Sequence, residues 1–170
     1  MKKIFENIEN IAVSIVVISI ITMFFFRIVE ISGASMENTL HDGDKAIITN
    51  FFYKPKVGDI IGIDENTYFE KPIIKRIIAV EGDTVFINYS TGDVYVNDEL
   101  LQENYIKEKI EITNLPNLEM KVPENHIFVL GDNRNHSGDS RLLEVGAIHE
   151  KYILGKAVFV LFPFSNFGGL

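Results

Sequence analysis

The sequence predicts a mainly β protein: an antiparallel β-sheet or barrel-like domain on a single N-terminal transmembrane helix. Three observations lead there. Residues 11–26 form an apolar run with no ionisable side chain. Beyond residue 40, apolar residues come in short β-branched and aromatic runs separated by turn residues. No stretch there keeps the period of a long amphipathic helix. At 170 residues, the chain fits one globular domain with a short segment left over.

The apolar run reads IAVSIVVISIITMFFF, and Ile28 and Val29 extend it past Arg27. Crossing the hydrocarbon layer takes roughly 17–25 residues. The span therefore needs Arg27 at its boundary, with the long stem carrying the charge to the interface. A cleaved signal peptide would use Lys2 and Lys3 as its basic start and residues 32–34 as its cleavage site, but Arg27 and Glu30 intrude before that site. A buried core helix would show one apolar stripe, whereas this run is apolar all round. The reading adopted is a retained anchor over residues 1–30, with a β-rich domain over 31–170. Lys2 and Lys3 favour an inside N-terminus, but Arg27 and Lys45 follow the span, so the charges leave orientation open.

The strand expectations follow in order. Residues 45–52 end at Tyr53-Lys54-Pro55, 60–63 follow Gly58-Asp59, and 72–80 end at Glu81-Gly82-Asp83. Residues 84–88 and 94–97 flank Ser90-Thr91-Gly92-Asp93 as a hairpin, 126–130 stop at Gly131-Asp132, and 153–162 stop at Pro163. Charges and Pro116 mark 101–119 as an exposed connection or a partly ordered excursion. The last nine residues, FPFSNFGGL, read as a flexible tail apolar enough to pack back.

Composition narrows the chemistry. A net charge of -8 argues against a nucleic-acid partner, which needs a surplus of Lys and Arg. With no cysteine, thiol catalysis, disulfides and Cys-ligated metals are excluded, so any covalent catalysis uses an oxygen or nitrogen nucleophile. Asp42-Gly43-Asp44 is too short for a calcium loop, and no cofactor or metal is expected.

Three stretches carry reactive groups. In SGASMENTL, residues 32–40, Ser35 stands among small residues that leave room for a substrate backbone, with Met36 as an apolar surface beside it. Taken alone, the same residues also suit a linker. Neither G-x-S-x-G nor S-x-x-K fits, because Glu37 and Asn38 occupy the required positions. In PIIKRIIAVEGD, residues 72–83, Lys75 lies between isoleucines in a strand apolar on both faces. Either Lys75 or Arg76 is then carried inward, and burial would lower a lysine pKa toward neutrality. The alternative is an edge strand with both cations in solvent. In GDNRNHSGDSR, residues 131–141, Asp132, Arg134, Ser137, Asp139 and Arg141 alternate closely enough to form an internal salt-bridged frame around a hydroxyl. His136 and His41 invite a Ser–His–Asp triad with Asp132 or Asp139, but a His in a polar loop is more often solvated.

Taken together, the anchor, SGASM, KRIIAVEGD and GDNRNHSGDSR resemble the bacterial type I signal peptidases, particularly the short forms of Gram-positive bacteria. The boxes follow the family order over nearly the whole chain. The resemblance implies that Ser35 is the nucleophile and Lys75 the general base. It further implies that Ser137 orients the lysine and that Asp139 and Arg141, with Asp132, support the site. It implies a mainly antiparallel β fold and an extracytoplasmic catalytic domain. The substrates would be signal peptides of exported preproteins, cut after small residues at -1 and -3. The partners are then those peptides and the lipid bilayer, and a monomer is expected. Two departures stand out. Asn38 replaces a common Pro, and Gly33 stands where some members place an oxyanion-donating Ser. That leaves Gly33 and Met36 as substrate-side residues and the second oxyanion donor unassigned. The alternative function is a dedicated Ser–Lys protease for one class of precursor, of pilin or spore-coat type.

Overall fold

The computed structural model describes residues 2–65, 67–69, 71–111 and 115–170. Helix α1 (Lys2–Phe25) contains a stretch, Asn7–Phe25, long and apolar enough to cross a membrane, and none of it is buried against protein. At 1.5 Å per residue those 19 residues span about 29 Å, close to a hydrocarbon core. A helix apolar on every face and covered by no protein needs an apolar solvent.

The helix stops earlier than the hydropathy suggested. Strand β1 (Phe26–Glu30) pairs antiparallel with β2 (Lys45–Thr49), from Phe26 opposite Thr49 to Glu30 opposite Lys45. Arg27, Ile28 and Val29 therefore belong to the sheet, and Arg27 does not mark a helix end. Phe, Ile and Val suit a lipid-facing helix and a strand equally, so hydropathy could not separate them.

The remaining strands are β3 (Ile60–Ile63), β4 (Ile73–Val80), β5 (Thr84–Asn88), β6 (Asp93–Val96), β7 (Glu99–Leu100), β8 (Leu118–Lys121), β9 (His126–Leu130), β10 (Ile148–His149), β11 (Ile153–Phe162) and β12 (Gly168–Gly169). The larger sheet runs β1-β2-β11-β3-β4-β9-β10 with β12 added to β11, and the smaller runs β7-β6-β5-β8. All pairings between these strands are antiparallel, and register shifts in β4 and β11 bend the larger sheet. The fold is mainly antiparallel β with one apolar helix, as the sequence predicts.

Strand β4 is the hub. Ile78 packs with Val85, Ile87, Phe128 and Leu130 between the sheets, and Ile77 joins Ile61, Ile63, Ile127 and Val129. Ile74 leans on a third cluster containing Met36, Leu40, Ile48 and Val160. A strand held from three sides offers rigid positions for side chains at its start.

Of the two stretches outside the main strands, the first is ordered in part and the second packs back as expected. The described part of 101–119 is not simply exposed: Ile110 is buried, and Lys107 N–H donates to Asp132 O (3.1 Å). Residues 112–114 lie outside the described residues. The C-terminal residues do pack back, through β12 on β11 and a Phe159–Phe167 edge contact at 4.8 Å.

Candidate active site

Ser35 sits in a tight turn after β1, and this turn is built by its own backbone. Glu37 N–H donates to Ala34 O (3.2 Å), and Thr39 and Leu40 N–H both donate to Met36 O (2.8 Å). Met36, 1% exposed, is the turn's root in the core rather than a surface beside the nucleophile. Burying a Met side chain is worth roughly 1.5–3 kcal/mol, which draws this position inward and leaves the neighbouring Ser35 half-buried. Gly33 takes φ +93°, a conformation that favours glycine, and gives its N–H to Asp42 Oδ1 at 2.7 Å. That N–H is therefore engaged rather than aimed at a substrate.

Lys75, on β4, is 3% exposed. Its Nζ donates to Ser35 Oγ at 2.8 Å and to Ile74 O at 2.9 Å. Burial pushes its pKa down from 10.5 to about 8, against the upward pull of Asp139 and Asp132. No carboxylate forms an ion pair with it among the described residues.

Both cations of the pair turn inward, where the sequence argued for one. Neighbouring strand residues leave opposite faces, and here both faces are covered. Arg76 Nε and Nη2 grip the Asp132 carboxylate at 2.8 and 2.7 Å, Nη1 donates to Gly58 O, and the guanidinium lies 4.0 Å from the Tyr105 ring centre. Thr39 Oγ1–H completes Asp132 at 2.5 Å.

The 131–141 loop is only partly an internal frame. Asp139 and Arg141 pair within it (Nε–Oδ1 2.7 Å, Nη2–Oδ2 2.9 Å), and Asp139 also accepts from Gly131 N–H. Asp132 instead reaches out to Arg76, and Arg134 reaches out to Glu103. The reason is reach: adjacent side chains in a tight loop point apart, and each charge finds the partner packed against it. Ser137 Oγ is buried with no hydrogen-bond partner among the described residues, and it does not bond Lys75, whose Nζ is directed to Ser35 and Ile74. It stands beside the nucleophile nonetheless. A Cβ at Gly131 would lie 2.3 Å from Ser137 Oγ and 2.5 Å from Ser35 O, so only glycine fits there.

Neither histidine joins a triad. His136 Nδ1 is 3.3 Å from Asn133 Oδ1, and His41 Nδ1 is 3.7 Å from Asp44 Oδ2. Sequence reasoning missed Asn133, which is 1% exposed and holds the nucleophile turn: its N–H donates to Ser35 O and its Nδ2 to Ala34 O, each at 3.0 Å. It also missed Tyr105 and Thr39. The signal for Asn133 was its place in GDNR, where an Asn otherwise reads as a turn residue.

The arrangement puts a hydroxyl against a buried amine of lowered pKa, the requirement for serine activation by lysine. Known proteins show the family. The signal peptidase, peptidase S26, family matches residues 4–162. A probable signal peptidase I-1 of Synechocystis is 36% identical over 97% of this chain and 86% of its own length. A signal peptidase I of Bacillus licheniformis is 33% identical over 96% and 91%, and a signal peptidase IB of Staphylococcus aureus is 34% identical over 98% and 93%. Among solved structures, a signal peptidase I of Enterococcus faecalis aligns with a TM-score of 0.50 at 27% identity, over 65% of this chain and 98% of that one. The chain belongs to the signal peptidase, peptidase S26, family of serine peptidases.

Proposed function

We propose that this protein removes signal peptides from exported preproteins, with Ser35 as nucleophile and Lys75 as general base. The observation that carries the assignment is the 2.8 Å contact between Lys75 Nζ and Ser35 Oγ, made by an amine with no carboxylate partner among the described residues. Neutral Lys75 takes the Ser35 proton as Oγ attacks the scissile carbonyl. The oxyanion accepts from the Ser35 N–H, which has no acceptor among the described residues. The Lys75 ammonium then protonates the departing amine, leaving an acyl-enzyme. Lys75 next takes a proton from water, the hydroxide equivalent attacks the acyl carbonyl, and Lys75 returns the proton to Ser35 Oγ as the signal peptide leaves. Asp132, Asp139 and Arg141 act as supports that hold the loop over the nucleophile.

The relatives are named signal peptidases, which supports signal peptides as the substrate class rather than one dedicated precursor. Residues 2–25 form the cytoplasmic end and anchor, and the β domain acts on the outer side. The apolar all-round helix supports the anchor, as do Phe24, Phe51 and Phe52 at its end, 79%, 57% and 90% exposed, while the outer placement follows from exported preproteins being the substrates. Every group invoked comes from one chain, which supports a monomeric enzyme.

The test is processing of a membrane-inserted preprotein with Ala at -1 and -3. Ser35→Ala and Lys75→Ala should each lower the rate by on the order of 10⁴-fold. Cleavage by either variant at a rate near wild type would refute the dyad.

A further inference from the structure

We infer that Asn133 is a positioning residue for the oxyanion donor, acting through the Ala34–Ser35 peptide; this rests on Ser35 being the nucleophile. The peptide bonds on either side of Ser35 are trans, so each N–H points away from the carbonyl of its own unit. The Asn133 amide fixes where the first carbonyl points: Nδ2 donates to Ala34 O at 3.0 Å. The Ser35 N–H must then leave on the opposite side, away from the loop, and it meets no acceptor among the described residues. The direction of the donor is therefore set by a side chain remote in sequence together with the Glu37 N–H of the turn, which also donates to Ala34 O at 3.2 Å.

Three details exclude a looser arrangement. Asn133 Oδ1 lies 3.3 Å from His136 Nδ1, and flipping the amide would set its oxygen against Ala34 O, two acceptors face to face. Asn133 is 1% exposed, which leaves it no alternative rotamer in solvent. Its own N–H also donates to Ser35 O at 3.0 Å, so the next carbonyl is held from the same residue. Accepting a hydrogen bond polarises an amide and makes its N–H a better donor, so the contact strengthens the Ser35 N–H as well as aiming it.

The role can be separated from simple scaffolding. In Asn133→Ala the Asn133 N–H bond to Ser35 O is a backbone bond and persists, and Ala34 O keeps its bond from Glu37 N–H. The turn should therefore stay formed while the peptide plane loses the shorter of the two bonds that hold Ala34 O. The full chain in detergent micelles would be assayed with a preprotein and with a peptide aldehyde, which forms a tetrahedral adduct on the serine. Active sites would be counted with a serine-acylating probe, so that unfolded protein is divided out. Asn133→Ala should lower kcat about tenfold with KM unchanged, and weaken the aldehyde by the same factor. Asn133→Asp has the same shape but presents a carboxylate oxygen to Ala34 O, and should lose about 100-fold in both. A kcat per active site equal to wild type, or a fall in kcat with unchanged aldehyde affinity, overturns the inference. Either result leaves the Ser35 reading standing, because that reading fails only if Ser35→Ala still cleaves.

Discussion

Lys75 and Arg76 are neighbours on β4 and are both buried, 3% and 9% exposed, yet their surroundings are opposite in kind. Arg76 meets a carboxylate in a two-point grip, a carbonyl, a hydroxyl and an aromatic face. Lys75 meets one hydroxyl and one carbonyl, both uncharged. A guanidinium stays charged in proteins, so the Arg76 flank is a permanent cation neutralised by Asp132. The Lys75 flank removes water without supplying an anion at contact distance, and its pKa falls to about 8. Burial makes a base only where the partner is withheld.

The largest expected effect breaks the Arg76 flank. Asp132→Ala leaves a buried guanidinium uncompensated and should cost about 3–5 kcal/mol, read as the denaturant midpoint of the full chain in detergent. Lys75→Met removes a buried amine that has no anion to leave behind, and should cost nothing or stabilise slightly. If both variants lose equal stability, the contrast between the flanks is wrong.

A smaller effect lies in pH. The folded pKa of Lys75, about 8, is below its ordinary 10.5, so between those values the unfolded chain binds the extra proton. This contribution to stability is fully present above the unfolded value and is lost as pH falls through about 8; it amounts to about 3 kcal/mol. The stability of wild type minus that of Lys75→Met should therefore rise across that window, and a flat difference would count against a depressed lysine. Activity should climb with the same group, falling about tenfold per pH unit below about 8, because only neutral Lys75 accepts the Ser35 proton.

What could be read in advance follows the same division. The isoleucines around Lys75 showed that β4 is covered on both faces, and Gly-Asp pairs marked the strand ends, because both signals are local. What covers each face was not local. Tyr105 comes from a stretch that reads as an exposed connection, and Asp132 from a loop that reads as self-contained. Asn133 reaches Ala34 across 99 positions, and no spacing rule reports a contact of that kind. The start of β1 was hidden because one composition serves lipid and sheet alike.

The smallest expected change in stability belongs to Ser137→Ala, and it probes the Lys75 flank from its other side. The Ser137 hydroxyl is buried and unpaired among the described residues, so the fold draws no hydrogen-bond energy from it. Removing it should leave stability within about 1 kcal/mol, since a buried unpaired hydroxyl is itself a cost. Catalysis should respond differently. When Lys75 is neutral, its lone pair must face the Ser35 hydroxyl to accept the proton, which leaves two N–H groups to place. Ile74 O takes one, and the Ser137 oxygen, which has no partner among the described residues and lies across Gly131 from Ser35, is the acceptor we propose for the second. Ser137→Ala should therefore lower kcat roughly tenfold at unchanged KM while the denaturant midpoint holds. Asp132→Ala should show the reverse signature, stability first, so that one flank of β4 is read in unfolding and the other in rate. A Ser137→Ala enzyme with unaltered kcat would reduce Ser137 to a filler and leave Lys75 oriented by Ile74 O alone.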